Sequence, residues 1–378
     1  MKIIFCDNTL WGLVNFRGEV IRHFISEGHQ VVLVAPEKED KQMQTTIPDG
    51  VRYIPVAMGR TSLNPTKDIK YFLRMLRIFR REKPDYIFTY TIKPNIYGSI
   101  AARLAGCRST AMMAGLGYIF INDSLVLRAA RSLYRFGLSF AQHLMVLNDY
   151  NRKLVERKHM CDPKKIVFLE GGEGINIDKY EKYDNASAST TFLFIGRILW
   201  DKGYDEFSRA ARKVKALYPE ARFELLGSMD PSYPKNVPEE RLRQDEADGT
   251  LKYIGFTHDM DSVYRRRGIV ITLPSYSEGM NRALMEASAS GKPIITSDIP
   301  GCREAVDDGR SGFLVPPRDA DALADAMLRY LRMTEEEKKQ FSDRSRAKAE
   351  SLFDVRSVIE KYEKIISGIE ENKKKTGK

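Results

Sequence analysis

Two carboxylates and two cations in the carboxyl-terminal half have the types and spacing to hold a charged, elongated ligand. Glu278 follows the apolar run Gly268 to Leu273 and a break at Pro274 and Ser275. Glu286 lies eight residues further on, in a stretch from Arg282 to Ser290 that suits a helix and is stopped by Gly291 and Pro293. Eight helical residues rise about 12 Å, too far for both carboxylates to grip one proton. They are well placed to hold opposite ends of one long polar molecule. A strand that opens through a glycine loop into a helix also presents backbone N–H groups and the positive end of a dipole, here at Gly279, Met280 and Asn281. Arg197 and Lys202 bracket a tight turn that enters a helix at about Tyr204. Each feature alone has a plain alternative: a helix-start acid, a solvated helix face, two solvated cations.

Placing these groups together requires strands that end on one side of a sheet. Residues 1–6 read as a strand, followed by a loop with Gly12 and Gly18, an amphipathic helix and a second strand, Val31 to Ala35. That is a βαβ unit without the G-x-G-x-x-G of a dinucleotide site. The pattern continues with strands at Leu144–Leu147 and Ile166–Leu169, then at Thr191–Ile195, Arg222–Leu226 and Leu251–Ile254, with helical stretches between them. Alternation of this kind implies α/β architecture with doubly wound parallel sheets. The small polar linker YDNASASTT separates two such halves, and FDVRSVIEKYEKIISGI reads as a final helix.

The chain of 378 residues is long enough for two cores. It shows no apolar run of membrane-spanning length and no signal peptide, and its four cysteines have no metal spacing, so a reduced, cytoplasmic setting is expected. Residues 1–175 carry 26 Lys and Arg against 16 Asp and Glu, whereas residues 176–378 carry 35 of each. The whole cationic surplus therefore lies in the first half and points to an anionic partner there. Lys70, Arg74, Arg77 and Arg81 fall on one helical stripe, with Ile69, Phe72, Leu73, Leu76 and Phe79 expected on the stripe facing the sheet. A second basic stripe is Arg128, Arg131 and Arg135. Such faces are ordinarily solvated, but two in one lobe suit an acidic membrane surface. Asp259-Met-Asp261 and Asp319-Ala-Asp321 spell D-x-D, yet each precedes a helix, where Asp serves as a cap, and no metal is assigned to either.

Pro274, Ser275, Glu278, Gly279, Glu286, Ala289, Gly291, Lys292, Pro293, Asp298, Gly301 and Glu304, with DDGRSGFLVPPRDADALADAM after them, resemble the signature of retaining family-4 glycosyltransferases. GRILWDKGYDEF, with Arg197 and Lys202, is similar to the diphosphate turn of the same family. T-I-K-P-N-x-Y-G and G-L-G-Y resemble the bacterial subgroup that transfers N-acetylhexosamines to undecaprenyl-diphosphate-linked sugars. The resemblance implies the GT-B fold: two Rossmann-like doubly wound domains facing a cleft, with a carboxyl-terminal helix crossing back to the first. It implies an acceptor- and membrane-facing domain over residues 1–175, a nucleotide-sugar domain over 176–355, and a crossover helix and tail over 356–378. The donor would be a UDP-sugar and the acceptor a lipid-linked glycan, in bacterial surface-polysaccharide or glycoprotein glycan assembly. No metal cofactor is implied, and the enzyme would sit peripherally on the inner face of the cell membrane.

By the same resemblance Arg197 and Lys202 neutralise the diphosphate, Glu286 accepts from the ribose hydroxyls, and Glu278 contacts the donor sugar. Gly12 would lie near the diphosphate, and Lys93, Asn95 and Tyr118 on the acceptor side. None of the five histidines falls in the Gly115–Tyr118 loop where many relatives keep one, so no histidine base is assigned. The competing readings are a GT-B epimerase acting on the nucleotide sugar and a glycosyltransferase with a soluble acceptor. An NAD-dependent oxidoreductase lacks its glycine fingerprint here. Nucleic acid is not expected as a partner, because the phosphate-site motifs sit in the neutral half.

Overall fold

Strands that are buried along their whole length, such as Tyr86–Tyr90, cover both faces and so demand helices on both sides of a parallel sheet. In the computed structural model, residues 1–36, 47–59, 64–115, 124–183, 190–229, 233, 235–266 and 268–376 are described. The chain divides into two compact units, Met1–Glu173 with Val355–Lys378, and Gly174–Asp354.

Unit 1 runs β1 (Lys2–Cys6), α1 (Leu10–Ser26), β2 (Gln30–Ala35), β3 (Arg52–Pro55), α2 (Pro65–Glu82), β4 (Tyr86–Tyr90), a π-helical turn (Pro94–Gly98), α3 (Ser99–Leu104), β5 (Arg108–Met113), α4 (Leu125–Ser139), β6 (His143–Val146), α5 (Asp149–Arg157) and β7 (Ile166–Phe168). Its strands pair in parallel in the order β3-β2-β1-β4-β5-β6-β7. The direction of winding reverses between β1 and β4, the place where such sheets bind ligands.

Unit 2 runs β8 (Thr191–Ile195), α6 (Tyr204–Leu217), β9 (Arg222–Leu226), α7 (Glu239–Ala247), β10 (Lys252–Tyr253), α8 (Met260–Arg265), β11 (Ile269–Thr272), α9 (Arg282–Ala289), β12 (Ile294–Ser297), β13 (Gly312–Val315), α10 (Ala320–Leu331) and α11 (Glu335–Leu352). Its order, β10-β9-β8-β11-β12-β13, is also all parallel and reverses between β8 and β11. The final helix, α12 (Val355–Thr376), returns to unit 1, where Val358, Tyr362, Ile365 and Ile366 join the core. The Tyr362 hydroxyl meets that of Tyr90 at 2.9 Å. Among the described residues no helix is long and apolar enough to cross a membrane.

Two expectations need correction here. Gly12 does not lie in a loop: α1 starts at Leu10, and Thr9 caps it by accepting the Gly12 N–H at 2.9 Å. A Cβ at Gly12 would stand 2.7 Å from Thr9 Oγ1 and 3.1 Å from Asp7 Oδ2, so the glycine makes room for the cap. The stripe of α2 that faces the sheet is Tyr71, Met75, Ile78 and Phe79, flanked by buried Asp68 and Glu82. Ile69 and Leu73 stand 57% and 54% exposed beside the basic residues. The helix is rotated because both buried acids have cationic partners, Lys93 for Asp68 and Lys2, Arg52 and Arg81 for Glu82.

Candidate functional site

In unit 2 the loops after β8 and β11 leave the sheet side by side at the switch point. They are tied by backbone chemistry: the Ser275 N–H and hydroxyl both donate to the Asp201 carbonyl, at 2.9 and 3.2 Å. Gly203, at φ +89°, closes the turn before α6. A Cβ there would clash with the Leu273 side chain and stand 2.7 Å from its carbonyl oxygen, so only glycine allows the two loops to touch. The far side of the second loop is pinned to the turn after β12. Glu278 N–H donates to Pro300 O at 3.0 Å and Asn281 N–H to Gly301 O at 2.8 Å. Gly301, at φ +89°, is again obligatory, since its Cβ would lie 2.7 Å from Glu278 O.

This frame brings Lys202 onto Glu278, with Arg197 near enough for its charge to act on Lys202; Glu286 sits on the helix that follows. Lys202 Nζ pairs with Glu278 Oε1 and sits 4.9 Å from the ring centroid of Tyr276. Burial pushes the Lys202 ammonium down, but the charge and hydrogen bond of Glu278 outweigh it and hold the group above its ordinary pKa. Lys202 therefore stays cationic throughout the neutral range. Arg197 is exposed, stacks 5.0 Å over the Tyr233 ring, and has no ion pair among the described residues. Glu286 is 6% exposed on α9. Its Oε1 accepts from Arg282 Nε at 2.7 Å and its Oε2 from the Tyr264 hydroxyl at 3.4 Å. Burial and then the Glu286 charge raise the phenol pKa of both Tyr180 and Tyr264, which keeps them as neutral donors.

Of the three backbone amides expected to face an anion, that of Asn281 already donates to Gly301. Arg282, Tyr264 and Tyr180 escaped the sequence reading. The i,i+4 spacing of Arg282 and Glu286 was the available signal for the first; nothing local marks the two tyrosines.

In unit 1 the carboxyl ends of β1, β4 and β5 border a cavity of about 320 Å³ whose lining includes Asn8, Thr91, Lys93, Met112, Gly115 and Tyr134. Thr91 is held at φ +66° at the end of β4, a conformation that costs energy for a β-branched residue. Its hydroxyl reaches Asp7 Oδ1 at 3.3 Å. Asp7 in turn pairs with Arg17 at 3.2 Å, and Arg17 with Glu173 at 2.6 Å. Arg17 also stacks 4.3 Å over the Tyr90 ring. Burial lowers the Arg17 pKa, but Glu173 and Asp7 outweigh it and raise the value overall.

Lys93 lines the cavity and donates to Asp68 at 2.5 Å. Asn95 is fully buried: its amide donates to Met112 O at 2.8 Å and Tyr134 Oη at 3.0 Å, and its oxygen accepts from Thr89 at 2.9 Å. It is a tie between β4, β5 and α4 rather than an acceptor contact. Tyr118 lies outside the described residues.

Two parallel-sheet α/β units, each with its own switch point, define a two-domain, doubly wound α/β architecture. Two family models match, the one described as "Glycosyl transferase 4-like domain" over residues 12–172 and "Glycosyl transferases group 1" over 177–348. The chain belongs to the family-4 type of glycosyltransferase, with the GT-B fold. It is 27% identical to an N,N'-diacetylbacillosaminyl-diphospho-undecaprenol alpha-1,3-N-acetylgalactosaminyltransferase of Campylobacter jejuni subsp. jejuni serotype O:2, over 98% of this chain and 100% of the relative. It is 25% identical to a UDP-Gal:alpha-D-GlcNAc-diphosphoundecaprenol alpha-1,3-galactosyltransferase of Escherichia coli, over 77% and 78% of the two chains. Among solved structures, Anabaena HepE in complex with UDP-glucose superposes with a TM-score of 0.78 at 16% identity, covering 97% of this chain and 100% of that one. A glycosyltransferase from Rickettsia africae ESF-5 gives 0.76 at 18%, covering 98% and 99%.

Proposed function

We propose that the protein moves an N-acetylhexosamine from a UDP-sugar to a lipid-diphosphate-linked glycan, with retention of anomeric configuration, in bacterial surface-polysaccharide or glycoprotein glycan assembly. The observation that supports the donor half is the corner where Lys202 pairs with Glu278 on two cross-tied loops, with Arg197 beside them. Charge develops on the departing diphosphate as the glycosidic bond breaks. Arg197 and Lys202 are preorganised to meet it, so their two positive charges take the place of a metal. Glu286, held by Arg282 and the Tyr264 hydroxyl, accepts from the ribose 2′ and 3′ hydroxyls. Glu278 leaves its pairing with Lys202 to accept from the donor sugar. The bond from the anomeric carbon to the phosphate oxygen breaks on the face where the acceptor oxygen attaches. The acceptor proton passes to that phosphate oxygen, a route that needs no histidine.

Unit 1 takes the acceptor in this reading. Its exposed surface joins Lys70, Arg74, Arg77 and Arg81 to Ile69 and Leu73 on α2. On α4, Leu125 at 82%, Val126 at 59% and Phe136 at 55% exposure lie among Arg128, Arg131 and Arg135. Apolar residues that dip into an acidic leaflet, with cations at about 1 kcal/mol each, make reversible docking. The deciding experiment is a panel of UDP-sugars against undecaprenyl-diphosphate-linked mono- and disaccharides. One UDP-hexosamine should release UDP only when a lipid-linked acceptor is present. Conversion of the nucleotide sugar without any acceptor, or equal turnover on a free glycan, would overturn the reading.

A further inference from the structure

The partners of Glu286 on α9 hold its two oxygens unequally. Oε1 takes Arg282 Nε at 2.7 Å, a short, charge-assisted bond. Oε2 lies 3.4 Å from the Tyr264 hydroxyl, whose single proton has a nearer acceptor in the Ala283 carbonyl at 3.0 Å. Arg282 is therefore the side chain that sets how the carboxylate is turned. Its place in the helix runs against local preference. Arg282 opens α9, where the positive end of the dipole disfavours a cation, and no acidic residue stands in that first turn. Nor is it an ordinary solvated i,i+4 pair, since the Arg282 and Glu286 side chains are only 26% and 7% exposed. Burial pulls the Arg282 pKa down, but the charge and hydrogen bond of Glu286, and after them those of Tyr180, hold it above its ordinary value. A cation placed where the helix does not want it, and closed onto one carboxylate oxygen, marks a constraint set by the site.

We propose that Arg282 is the positioning residue through which this site selects a ribonucleotide over a deoxyribonucleotide. The terminal torsion of a glutamate is soft, so a carboxylate held by nothing else turns through a broad range. Two neighbouring hydroxyls can donate to it together in only a small part of that range. By fixing Oε1, Arg282 keeps the plane of Glu286 turned to receive the 2′ and 3′ hydroxyls as a pair. Without the guanidinium, Glu286 stays on α9 but turns. Recognition of the two hydroxyls then fails, while the diphosphate still finds Arg197 and Lys202. The proposal rests on the reading in which Glu286 takes the ribose, and adds to it the residue that acts through Glu286.

The test is calorimetric titration of the full chain with UDP and with 2′,3′-dideoxy-UDP, which keeps the base and diphosphate and lacks both hydroxyls. Wild type should bind UDP about tenfold or more tightly than the dideoxy compound, since each hydroxyl bonds a charged acceptor. Arg282→Met should lose about tenfold in affinity for UDP and no more than about twofold for the dideoxy compound, because only the former needs the carboxylate held. Arg282→Lys, which restores a cation without the planar fork, should recover part of the loss. Tyr264→Phe should stay within about threefold, because its proton serves Ala283 first. Arg282→Met strands a buried carboxylate, so the same change is also made on Glu286→Gln, where no charge is left alone. On that background it should cost no more than about twofold in UDP affinity. A wild type that binds the two nucleotides alike takes Glu286 off the ribose and overturns the donor reading together with this proposal. Discrimination by wild type, with equal losses on both nucleotides in Arg282→Met or an undiminished loss on the Glu286→Gln background, overturns the positioning role alone and leaves the transferase reading standing.

Discussion

The two switch points solve the same geometric problem with opposite materials. In unit 2 Arg197 stands exposed and Lys202 is paired with Glu278 on the loops, and their frame is backbone: Ser275 to Asp201, Glu278 to Pro300, Asn281 to Gly301, with Gly203 and Gly301 removing the side chains that would intrude. In unit 1 the frame is itself ionic. Asp7, Arg17 and Glu173 form a buried chain, with Arg17 3% and Asp7 2% exposed, behind Thr91 and the cavity. On the proposed reading, a site that meets a diphosphate holds its cations at loops where a ligand can displace their partners, whereas a site that receives a neutral hydroxyl can bury its charges as scaffolding.

This contrast can be broken by exchanging which property a substitution damages. Arg17→Met should cost about 3–5 kcal/mol of stability, because it leaves two carboxylates buried without their cation; chemical denaturation measures it, and a loss below about 1 kcal/mol would deny the scaffold role. Lys202→Ala should do the reverse. Turnover should fall about a hundredfold, as when a preorganised charge contact is removed, with a nearly unchanged denaturation midpoint. Wild-type turnover in that variant would remove Lys202 from the site. Gly203→Ala should fall between them: its Cβ meets Leu273, so the turn must shift, and activity should drop at least about tenfold because misplaced groups lose catalysis steeply.

A further effect concerns a second buried cation. Arg17 has two carboxylates, whereas Lys292, 1% exposed in unit 2, donates to the Arg266 carbonyl at 3.0 Å, and burial pulls its pKa down to about 8. Between about 8 and the ordinary value near 10.5 the unfolded chain binds more protons, so this group makes stability rise with pH across that window. The rise is no more than about 3.5 kcal/mol. Lys292→Met should flatten the slope and leave the variant more stable than wild type at pH 7. An identical slope in both proteins would contradict the assignment.

The same contrast explains what could be read from the chain. Unit 2 builds its corner from two contiguous stretches, residues 196–203 and 273–301. The glycines, prolines and charges needed for the loops stand next to the groups they place, and strand and helix limits there follow the periodicity closely. Unit 1 assembles its site from Asp7, Arg17, Thr91 and Glu173, which no local pattern links. Asn95 looked like an acceptor contact because a polar residue in a P-N-x-Y-G turn gives no sign that Met112 and Tyr134 will take both its amide donors and that Thr89 will bond its oxygen. The rotation of α2 was hidden for a related reason. Hydropathy places Ile69 and Leu73 inside and Asp68 and Glu82 outside, and only the distant partners Lys93, Lys2 and Arg52 reverse that order.

The central claim is that unit 2 holds the donor's diphosphate with its own cations. A crystal structure of the UDP complex tests it most directly. The diphosphate should lie within hydrogen-bonding distance of Arg197 and Lys202, with the Lys202–Glu278 pair opened and the ribose hydroxyls on Glu286. A nucleotide seated elsewhere, or one bound there with the Lys202–Glu278 pair intact and Glu286 untouched, would contradict the account.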